Sequence, residues 1–463
     1  MAVTSHTDQM LTVLENCRIS PPSATVGDKS LPLTFLDIIF LLHFPIHQLF
    51  FYDFPLSKPQ FIETVLPILK HSLSITLQHF FPFASTLIVF PDGRKPEIRH
   101  VDGDSVEFTV AESHLDFEDL VGNHPRACDK FYPLVPPLGR VTKLSEFLSI
   151  PLFAVQVTYF KNLGFSIGIT NHHVICDAST KFDFLKAWTS IARHGTDAVV
   201  LANGSFPCYD RLLKYPESLD EIFMKQPGVE ALNDDYQVLD LVGPSSKVRA
   251  TFFLTKERIN LLKLLVSRKL PKLGYISSFS VACGYVWSCI AKSRVGFHER
   301  KGEDELERFV CLANFRNRMD PPLPETYFGN CVGPCVAVAQ SMLLSGNEGF
   351  LVAVESIGEA ISKTVKKKDG MLEDAELWFE LMFRTPAKIP AKIGVAGTPK
   401  LKIYDVDFGW GKPRKYETVS IDRNGSISVN ACKESPEDLE IGLSLPAKQM
   451  DAFVAIYNNH CIK

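Results

Sequence analysis

Two apolar segments joined by a short linker lead directly into a polar turn and then into a segment with helical periodicity. Residues 153–160 (FAVQVTYF) and 165–170 (FSIGIT) flank the sequence KNLG, and their alternating patterns are typical of a β-hairpin. After the turn NHHVICD at 171–177, apolar residues recur at helical spacing until Gly195, a typical helix stop. This order of strand, turn and helix predicts an α/β fold.

The second half of the chain contains the same mixture of elements. RATFFLT at 249–255 has a strand pattern, and KERINLLKLLVSRK at 256–269 predicts an amphipathic helix. SSFSVACGYVWSCIAKS at 277–293 predicts an apolar helix that is capped by Ser. Strands and helices in both halves favour two domains of similar α/β topology.

The length of the chain and a loss of periodicity near its middle predict the domain boundaries. A chain of 463 residues exceeds the size at which one hydrophobic core keeps growing, so two domains are expected. Periodicity fades over 196–245, which is rich in Gly, Asn, Pro and Asp. We therefore predict an N-terminal domain at 1–195, a crossover linker at 196–245 and a C-terminal domain at 246–463.

Composition and charge narrow the classes of function. Apolar residues make up 46% of the chain and the formal net charge is −4, so neither disorder nor a nucleic-acid-binding surface is expected. The 11 Cys are scattered singly and the first residues lack a signal-peptide pattern, which indicates reduced thiols in a cytoplasmic protein. The most hydrophobic window, 35–54, contains too many polar groups for a membrane span. We expect a monomer with no membrane partner.

A serine hydrolase is one interpretation of the hairpin, because GFSIG at 164–168 matches G-x-S-x-G with Ser166 as the nucleophile. That motif requires a sharp turn between a strand and a helix, with the Ser at the turn. Here Phe165, Ile167 and Ile169 alternate straight through the match. Ser166 is therefore predicted to lie inside a strand, and the match is interpreted as accidental.

A metal site is a second interpretation, because His172, His173, Cys176 and Asp177 are all possible ligands. Their spacing matches none of the common zinc patterns, and neighbouring side chains on one backbone segment tend to diverge. No metal is expected.

General-base catalysis is a third interpretation. An imidazole with an ordinary pKa near 6.5 can accept a hydroxyl proton at neutral pH, and His173 follows the end of a strand, where a pocket can open. A His in an apolar segment can equally be a structural residue. The residues by themselves leave this alternative open.

Two short motifs resemble the signatures of a known family. HHVICDA at 172–178 resembles the H-x-x-x-D signature of the plant BAHD acyl-CoA-dependent acyltransferases, and DFGWG at 407–411 matches their second signature. Most of the family has Gly where this chain has Ala178, and Ala predicts an ordinary backbone there. Other fragments that fall where the family has them are LPLTFLD (31–37), NFR (314–316) and TYFGNC (326–331). Together with the ending DLEIGLSLPAKQMDAF (438–453), they are most similar to the anthocyanin and flavonoid-glycoside clade.

The resemblance, which covers essentially the whole chain, implies a fold and a reaction. The fold would be chloramphenicol-acetyltransferase-like, with two similar domains of mixed β-sheets flanked by helices and an active channel at their interface. The reaction would transfer an acyl group from acyl-CoA to an alcohol or amine in a ternary complex, with His173 as general base. Acyl-CoA would be a co-substrate, and no permanently bound cofactor is expected.

The resemblance also implies roles for individual residues. Asp177 would turn away from His173 to pair with Arg316, instead of forming a catalytic dyad. Ser277 and Ser278 match a position that touches coenzyme A, although Ser can equally be a helix cap. Thr398 in AGTPK is a candidate oxyanion donor. Asp407, Gly409, Trp410 and Gly411 would be structural motif residues in a tight turn.

The expected acceptor is a sugar hydroxyl of a flavonoid or anthocyanin glucoside, and the expected donor is hydroxycinnamoyl-CoA or malonyl-CoA. A malonyl carboxylate requires Arg or Lys, whereas an aromatic acyl group requires an apolar slot. His47 and Gln48 stand where many malonyl-selective relatives have Arg, which favours the aromatic donor. The alternatives are another phenolic glucoside, alcohol or amine as acceptor, or a non-catalytic acyl-CoA-binding or flavonoid-binding protein.

Overall fold

The computed structural model describes residues 10–204, 206–227, 229, 232, 236–238, 241, 243, 245–274, 276–295, 305–366, 370–383 and 391–459. The strands in these ranges are β1 (Leu11–Ile19), β2 (Lys29–Pro32), β3 (Ile46–Asp53), β4 (Thr86–Val89), β5 (Glu97–His100), β6 (Val106–Ser113), β7 (Arg126–Ala127), β8 (Thr142–Lys143), β9 (Leu148–Pro151), β10 (Phe153–Phe160), β11 (Gly164–Asn171), β12 (Lys247–Leu254), β13 (Leu306–Asn314), β14 (Val332–Gln340), β15 (Ala391–Ala396), β16 (Lys415–Thr418), β17 (Ile427–Ala431) and β18 (Leu439–Pro446).

The α-helices in the same ranges are α1 (Phe35–Ile38), α2 (Lys58–Gln60), α3 (Leu66–His79), α4 (Phe117–Val121), α5 (Ala178–His194), α6 (Ala198–Ala202), α7 (Ser218–Met224), α8 (Lys256–Lys269), α9 (Ser278–Arg294), α10 (Ser341–Ser345), α11 (Gly349–Val365), α12 (Trp378–Met382), α13 (Ile421–Asn424) and α14 (Ala447–Asn459). None of the helices in the described part of the chain is long and apolar enough to cross a bilayer.

The strands form two large mixed sheets and a smaller antiparallel one. The first large sheet has the order β1-β6-β10-β11-β3-β16, in which β6 and β10 are parallel. The second has the order β14-β13-β15-β17-β18-β12-β7, with parallel pairing of β15 to both of its neighbours. The small sheet has the order β2-β5-β4-β9-β8. Two mixed sheets with helices packed on them confirm the predicted α/β class.

The hairpin and the helices predicted from periodicity are present. In β10 and β11 the pairing runs from Phe153 opposite Asn171 to Phe160 opposite Gly164. Helix α5 buries Phe184 against Phe153 of β10, and its Trp188 donates a hydrogen bond to Ser72 of α3 at 3.0 Å. Gly195 ends the helix with a left-handed backbone (φ 70°). In the second half, α8 and α9 coincide with the predicted helices.

Each large sheet contains one strand from the other half of the chain. β16 pairs with β3, so that Tyr416 lies opposite Phe50, and β7 pairs with β12, so that Arg249 lies opposite Arg126. Contiguous boundaries at 195 and 246 do not describe this exchange, and those boundaries remain a prediction.

Buried ion pairs connect the exchanged strands. Glu417 of β16 accepts hydrogen bonds from Arg126 (2.9 Å) and Arg249 (3.0 Å), and all three side chains are buried. Burial alone would raise the pKa of Glu417, but Arg249 and Arg126 lower it to about 2. The carboxylate is therefore ionised and joins the two sheets.

The predicted crossover at 196–245 contains more structure than its sequence indicates. α6 and α7 lie inside it. Leu219 and Phe223 of α7 are buried in the same hydrophobic core as the apolar side chains of β10 and β11. Residues 205, 228, 230, 231, 233–235, 239, 240, 242 and 244 of this stretch lie outside the described residues. Two apolar side chains at helical spacing were too weak a signal to mark α7 from sequence.

Candidate active site

The predicted base, His173, lies where β11 ends and α5 has not yet begun. A short 3-10 turn, His173–Ile175, separates the two elements. Asp177 has an extended backbone and caps α5, accepting hydrogen bonds from the backbone N–H groups of Ser179 and Thr180 at 3.1 Å each. Because the segment is a turn and not a continuous helix, His173 and Asp177 do not share a helix face.

The carboxylate of Asp177 faces the second half of the chain. Arg316 donates to it at 2.7 and 3.1 Å, and the backbone N–H of Cys331 donates at 2.9 Å. The two charged side chains are only 4% and 3% exposed, so a bidentate pair satisfies both charges in a low-dielectric environment. The pairing inferred from the family resemblance is therefore present in this structure.

The imidazole of His173 is held between aromatic rings. It stacks on Phe40 with ring centroids 3.9 Å apart, and the ring of His43 approaches it edge-on at 5.2 Å. Its main-chain oxygen accepts a hydrogen bond from the side-chain amide of Asn330 at 3.1 Å, across the two halves of the chain. The ring is half-buried, with its plane fixed by stacking.

Burial keeps the imidazoles of this site neutral. It lowers the pKa of His173 well below its usual range, and the positive charge of Lys181 lowers it further. Burial also lowers the pKa of His172 to about 3 and that of His43 to about 4, although the bond from His43 to the carbonyl of Phe44 opposes the shift. A half-buried imidazole that is neutral can accept a proton at pH 7.

These shifts predict that the folded protein loses stability in mild acid. Between about pH 6.5 and 4.5 the unfolded chain protonates its histidines while the folded state keeps His43, His172 and His173 neutral, so the free energy of unfolding falls as pH falls. Each histidine contributes at most about 1.4 kcal/mol per pH unit. Urea unfolding at several pH values measures the slope. The variant His172→Gln is expected to have a shallower slope, and an unchanged slope would contradict this account.

Residues that were not predicted from the sequence also hold the His173 turn in place. Asp37 accepts hydrogen bonds from the backbone and side-chain nitrogens of Asn330 at 2.9 and 3.1 Å, and Arg211 lies 3.4 Å from its carboxylate. Asp37 and Asn330 occur in the fragments LPLTFLD and TYFGNC, but nothing in their local pattern indicated that they meet. Phe40 and His43, which contact the imidazole, were likewise missed.

The serine motif has no catalytic geometry. Ser166 lies in the middle of β11 opposite Phe51, is fully buried, and its hydroxyl has no hydrogen-bond partner among the described residues. The predicted strand position is confirmed, and no strand-to-helix turn presents the hydroxyl. In the described ranges, no group of three or more His, Cys, Asp and Glu side chains could hold a metal ion.

The DFGWG segment forms the tight turn that its glycines predicted. Asp407 accepts hydrogen bonds from the backbone N–H groups of Gly409 (2.8 Å) and Gly411 (3.0 Å), whose φ angles are 107° and 97°. Trp410 packs on Phe165 at the start of β11. Because Phe165 lies six residues before Asn171 and a strand rises about 3.3 Å per residue, the residue on which Trp410 packs is roughly 20 Å from the strand end that precedes His173.

The candidate cofactor and oxyanion residues lie in the second half. The Ser277 hydroxyl caps α9, accepting from the backbone N–H of Ser280 at 2.9 Å, and Ser278 is the first residue of the helix. Thr398 follows β15 and accepts from the backbone N–H of Lys400 at 3.4 Å. The capping interpretation of Ser277 is confirmed, and the contact of Ser277 and Ser278 with coenzyme A stays a prediction. The described contacts of Thr398 are within its own turn.

Two α/β domains with mixed sheets, and a neutral imidazole where the halves of the chain meet, agree with the fold and site expected of a two-domain acyltransferase. A family model described as the Transferase family matches residues 9–458. The chain belongs to this family, the BAHD acyltransferases, and is an acyl-CoA-dependent acyltransferase.

The chain is similar to several characterised relatives over nearly its whole length. It is 55% identical over 454 residues to a malonyl-coenzyme A:anthocyanin 3-O-glucoside-6''-O-malonyltransferase of Dahlia pinnata, covering 97% of each chain. It is 40% identical to phenolic glucoside malonyltransferase 1 of Nicotiana tabacum, covering 91% of this chain and 92% of that one. It is 35% identical to a coumaroyl-CoA:anthocyanidin 3-O-glucoside-6''-O-coumaroyltransferase of Arabidopsis thaliana, covering 96% of each.

Solved structures show the same fold. Vinorine synthase aligns with a TM-score of 0.67 at 22% identity, covering 96% of each chain. TRI101 of F. sporotrichioides, solved in complex with coenzyme A and T-2, aligns with a TM-score of 0.62 at 15% identity and covers 91% of this chain and 96% of its own.

Proposed function

We propose that this protein transfers a malonyl group from malonyl-CoA to a sugar hydroxyl of an anthocyanin or flavonoid glucoside. The observation that carries the proposal is the neutral, half-buried imidazole of His173 in a chain that is 55% identical to an anthocyanin glucoside malonyltransferase. Acyl-CoA is the co-substrate, and the protein acts without a permanently bound cofactor, as a monomer in the cytoplasm.

His173 is the general base of this proposal. Its ring takes the proton of the acceptor hydroxyl as that oxygen attacks the thioester carbon, which gives a tetrahedral intermediate with negative oxygen. Collapse of the intermediate breaks the carbon–sulfur bond, and the imidazolium returns the proton to the leaving thiolate of coenzyme A. The stacking on Phe40 supports this role, because it fixes the ring without occupying a ring nitrogen.

The other residues of the proposal act around this step. Asp177 and Arg316 position the turn that carries His173, since their buried pair ties α5 to the second half of the chain. Ser277 and Ser278 lie on the side proposed for coenzyme A, and Thr398 is retained as the candidate oxyanion donor. The turn formed by Asp407, Gly409, Trp410 and Gly411 supports the fold far from the chemistry.

The acyl donor is the part of the proposal on which sequence and relatives differ. The sequence favoured an aromatic donor, because His47 and Gln48 stand in place of Arg. Both side chains are buried in β3, and the Gln48 amide donates to the hydroxyl of Tyr416. Three relatives at 40% to 55% identity are named malonyltransferases, whereas two named coumaroyltransferases are 34% and 35% identical, close to the 33% of two further malonyltransferases. The proposal therefore takes malonyl-CoA as the donor.

A competition assay tests this proposal. Purified protein receives cyanidin 3-glucoside with equal concentrations of malonyl-CoA and coumaroyl-CoA, and the mass of the product identifies the transferred group. We expect the malonylated glucoside; a coumaroylated product would reverse the donor assignment. A parallel panel of phenolic glucosides, alcohols and amines tests the acceptor. Binding of acyl-CoA or glucoside without any product would indicate that the protein is a carrier or a regulatory protein and not an enzyme.

A further inference from the structure

Two free cysteines, Cys311 and Cys335, lie directly opposite each other on neighbouring strands of the second large sheet. Cys311 belongs to β13, and Cys335 belongs to the antiparallel strand β14 at the edge of the sheet. Within the described ranges, no other two cysteines face each other across a sheet. The fold therefore brings together two thiols that the scattered cysteines of the sequence did not indicate.

The register of the two strands gives this pair the geometry of a disulfide site. Residues directly opposite in an antiparallel pair have Cα atoms about 4.5–5.5 Å apart, and their side chains share one face of the sheet. A disulfide spans Cα separations of about 4.4–6.8 Å. Both side chains are buried in the hydrophobic core that the second large sheet shares with α9 and α11. The two Cα atoms are thus held at a separation that a disulfide can span.

The two thiols differ in their tendency to ionise. Hydrogen bonding from the Cys311 thiol lowers the pKa of the Cys335 thiol, whereas the same contact and burial raise the pKa of Cys311. Oxidation of cysteine begins with the thiolate, so Cys335 is the sulfur that reacts first. Burial excludes large reagents, but hydrogen peroxide is close to water in size. A small peroxide is therefore the class of oxidant that suits this pair.

We propose that Cys311 and Cys335 form a redox-sensitive modification site, at which hydrogen peroxide converts the two thiols into a disulfide between β13 and β14. The Cys335 sulfur attacks one oxygen of the peroxide, the O–O bond breaks, and a sulfenic acid and one water form. The Cys311 sulfur then attacks the sulfenic sulfur, which closes the S–S bond and releases the second oxygen as water. Two electrons and two thiol protons pass to the peroxide, which is reduced to two waters.

The position of the pair relates it to the segment that holds the His173 turn. Arg316, which donates to Asp177, follows the end of β13 by two residues. Cys331, whose backbone N–H also donates to Asp177, directly precedes β14. The disulfide would close a loop of about 25 residues that contains both donors, and such a cross-link lowers the entropy of the unfolded chain. Oxidation is therefore expected to stabilise the segment that anchors Asp177.

Treatment of the folded protein with hydrogen peroxide tests the proposal. Intact mass and peptide mapping under non-reducing conditions follow the reaction. We expect the loss of two hydrogen atoms, one linked pair of peptides that contains Cys311 and Cys335, and reversal by dithiothreitol. The Tm of the oxidised protein is expected to lie several degrees above that of the reduced protein, because the cross-link constrains the unfolded chain.

Three alanine variants control the experiment. Cys335→Ala and Cys311→Ala each remove one partner, and both are expected to lose the cross-link and the rise in Tm. Cys283→Ala removes a buried thiol of the same core, on α9, and is expected to keep both effects. The Tm of each reduced variant shows that it is folded before peroxide is added.

The proposal is overturned if the folded wild-type protein keeps both thiols at a peroxide concentration that oxidises the thiols of the urea-unfolded chain. It is also overturned if the disulfide that forms joins other cysteines, or if it still forms in Cys335→Ala. A disulfide between Cys311 and Cys335 that leaves the Tm unchanged would contradict the stabilising effect. None of these measurements needs a substrate, so their outcome is independent of the proposed acyl transfer.

Discussion

Substitution of His173 by alanine is expected to lower kcat by roughly 10²- to 10⁴-fold, the contribution of a positioned general base, while the fold is retained. The loss arises because the acceptor hydroxyl then has no neutral imidazole to take its proton. The KM for acyl-CoA is expected to change little, since the ring is proposed to act on the acceptor. Steady-state kinetics with malonyl-CoA and cyanidin 3-glucoside, alongside circular dichroism, measure both effects.

Ser166→Ala is the matched control for this experiment. The Ser166 hydroxyl is fully buried and has no hydrogen-bond partner in the described ranges, so its removal is expected to leave both activity and stability nearly unchanged. A fluorophosphonate probe is expected to leave the wild-type protein unlabelled. Full activity in His173→Ala would show that another group accepts the proton. Loss of activity in Ser166→Ala, together with labelling of the wild-type protein by the probe, would support the serine esterase interpretation.

Replacement of Arg316 by methionine is expected to lower the free energy of unfolding by about 3–5 kcal/mol, because it leaves the buried carboxylate of Asp177 without its partner. Activity is expected to fall with it, since Asp177 begins the helix that follows the His173 turn. Arg316→Lys keeps a charge but loses the bidentate geometry, so an intermediate loss is expected. Urea unfolding monitored by tryptophan fluorescence gives the free energies.

Arg94 provides an exposed control for this pair. It lies 2.8 Å from Asp92, and both side chains are 57% exposed, so Arg94→Met is expected to leave the free energy of unfolding nearly unchanged. If Arg316→Met were as mild as Arg94→Met, the bidentate pair would not be a major source of stability, and the positioning role of Asp177 would be wrong.

Local sequence patterns were sufficient to predict the secondary-structure elements that surround the candidate base. The alternation around Ser166 predicted β11, the helical spacing up to Gly195 predicted α5, and the two glycines after Asp407 predicted a tight turn. Each of these features depends on residues within a few positions of one another. The backbone preferences and the burial pattern of such segments are therefore readable from the sequence.

The ion-pair partner of Asp177 could not be predicted from a local sequence pattern. Arg316 lies 139 positions later, and it was assigned from the family resemblance and not from any local signal. The same holds for Phe40, which stacks on His173, and for Asn330, which donates to its main-chain oxygen. The spacing of residues along the chain carries no information about which distant segments will meet.

By itself the sequence determined the α/β class, the hairpin that leads to His173, and the family signatures. The tertiary structure alone decided that β16 joins the first large sheet, that Glu417 meets Arg126 across 291 positions, and that the ammonium group of Lys181 is buried against Asn171. The physical reason is that periodicity reports which face of an element is buried, whereas the neighbours of a buried charge, and hence its pKa and its use in catalysis, depend on how the elements pack.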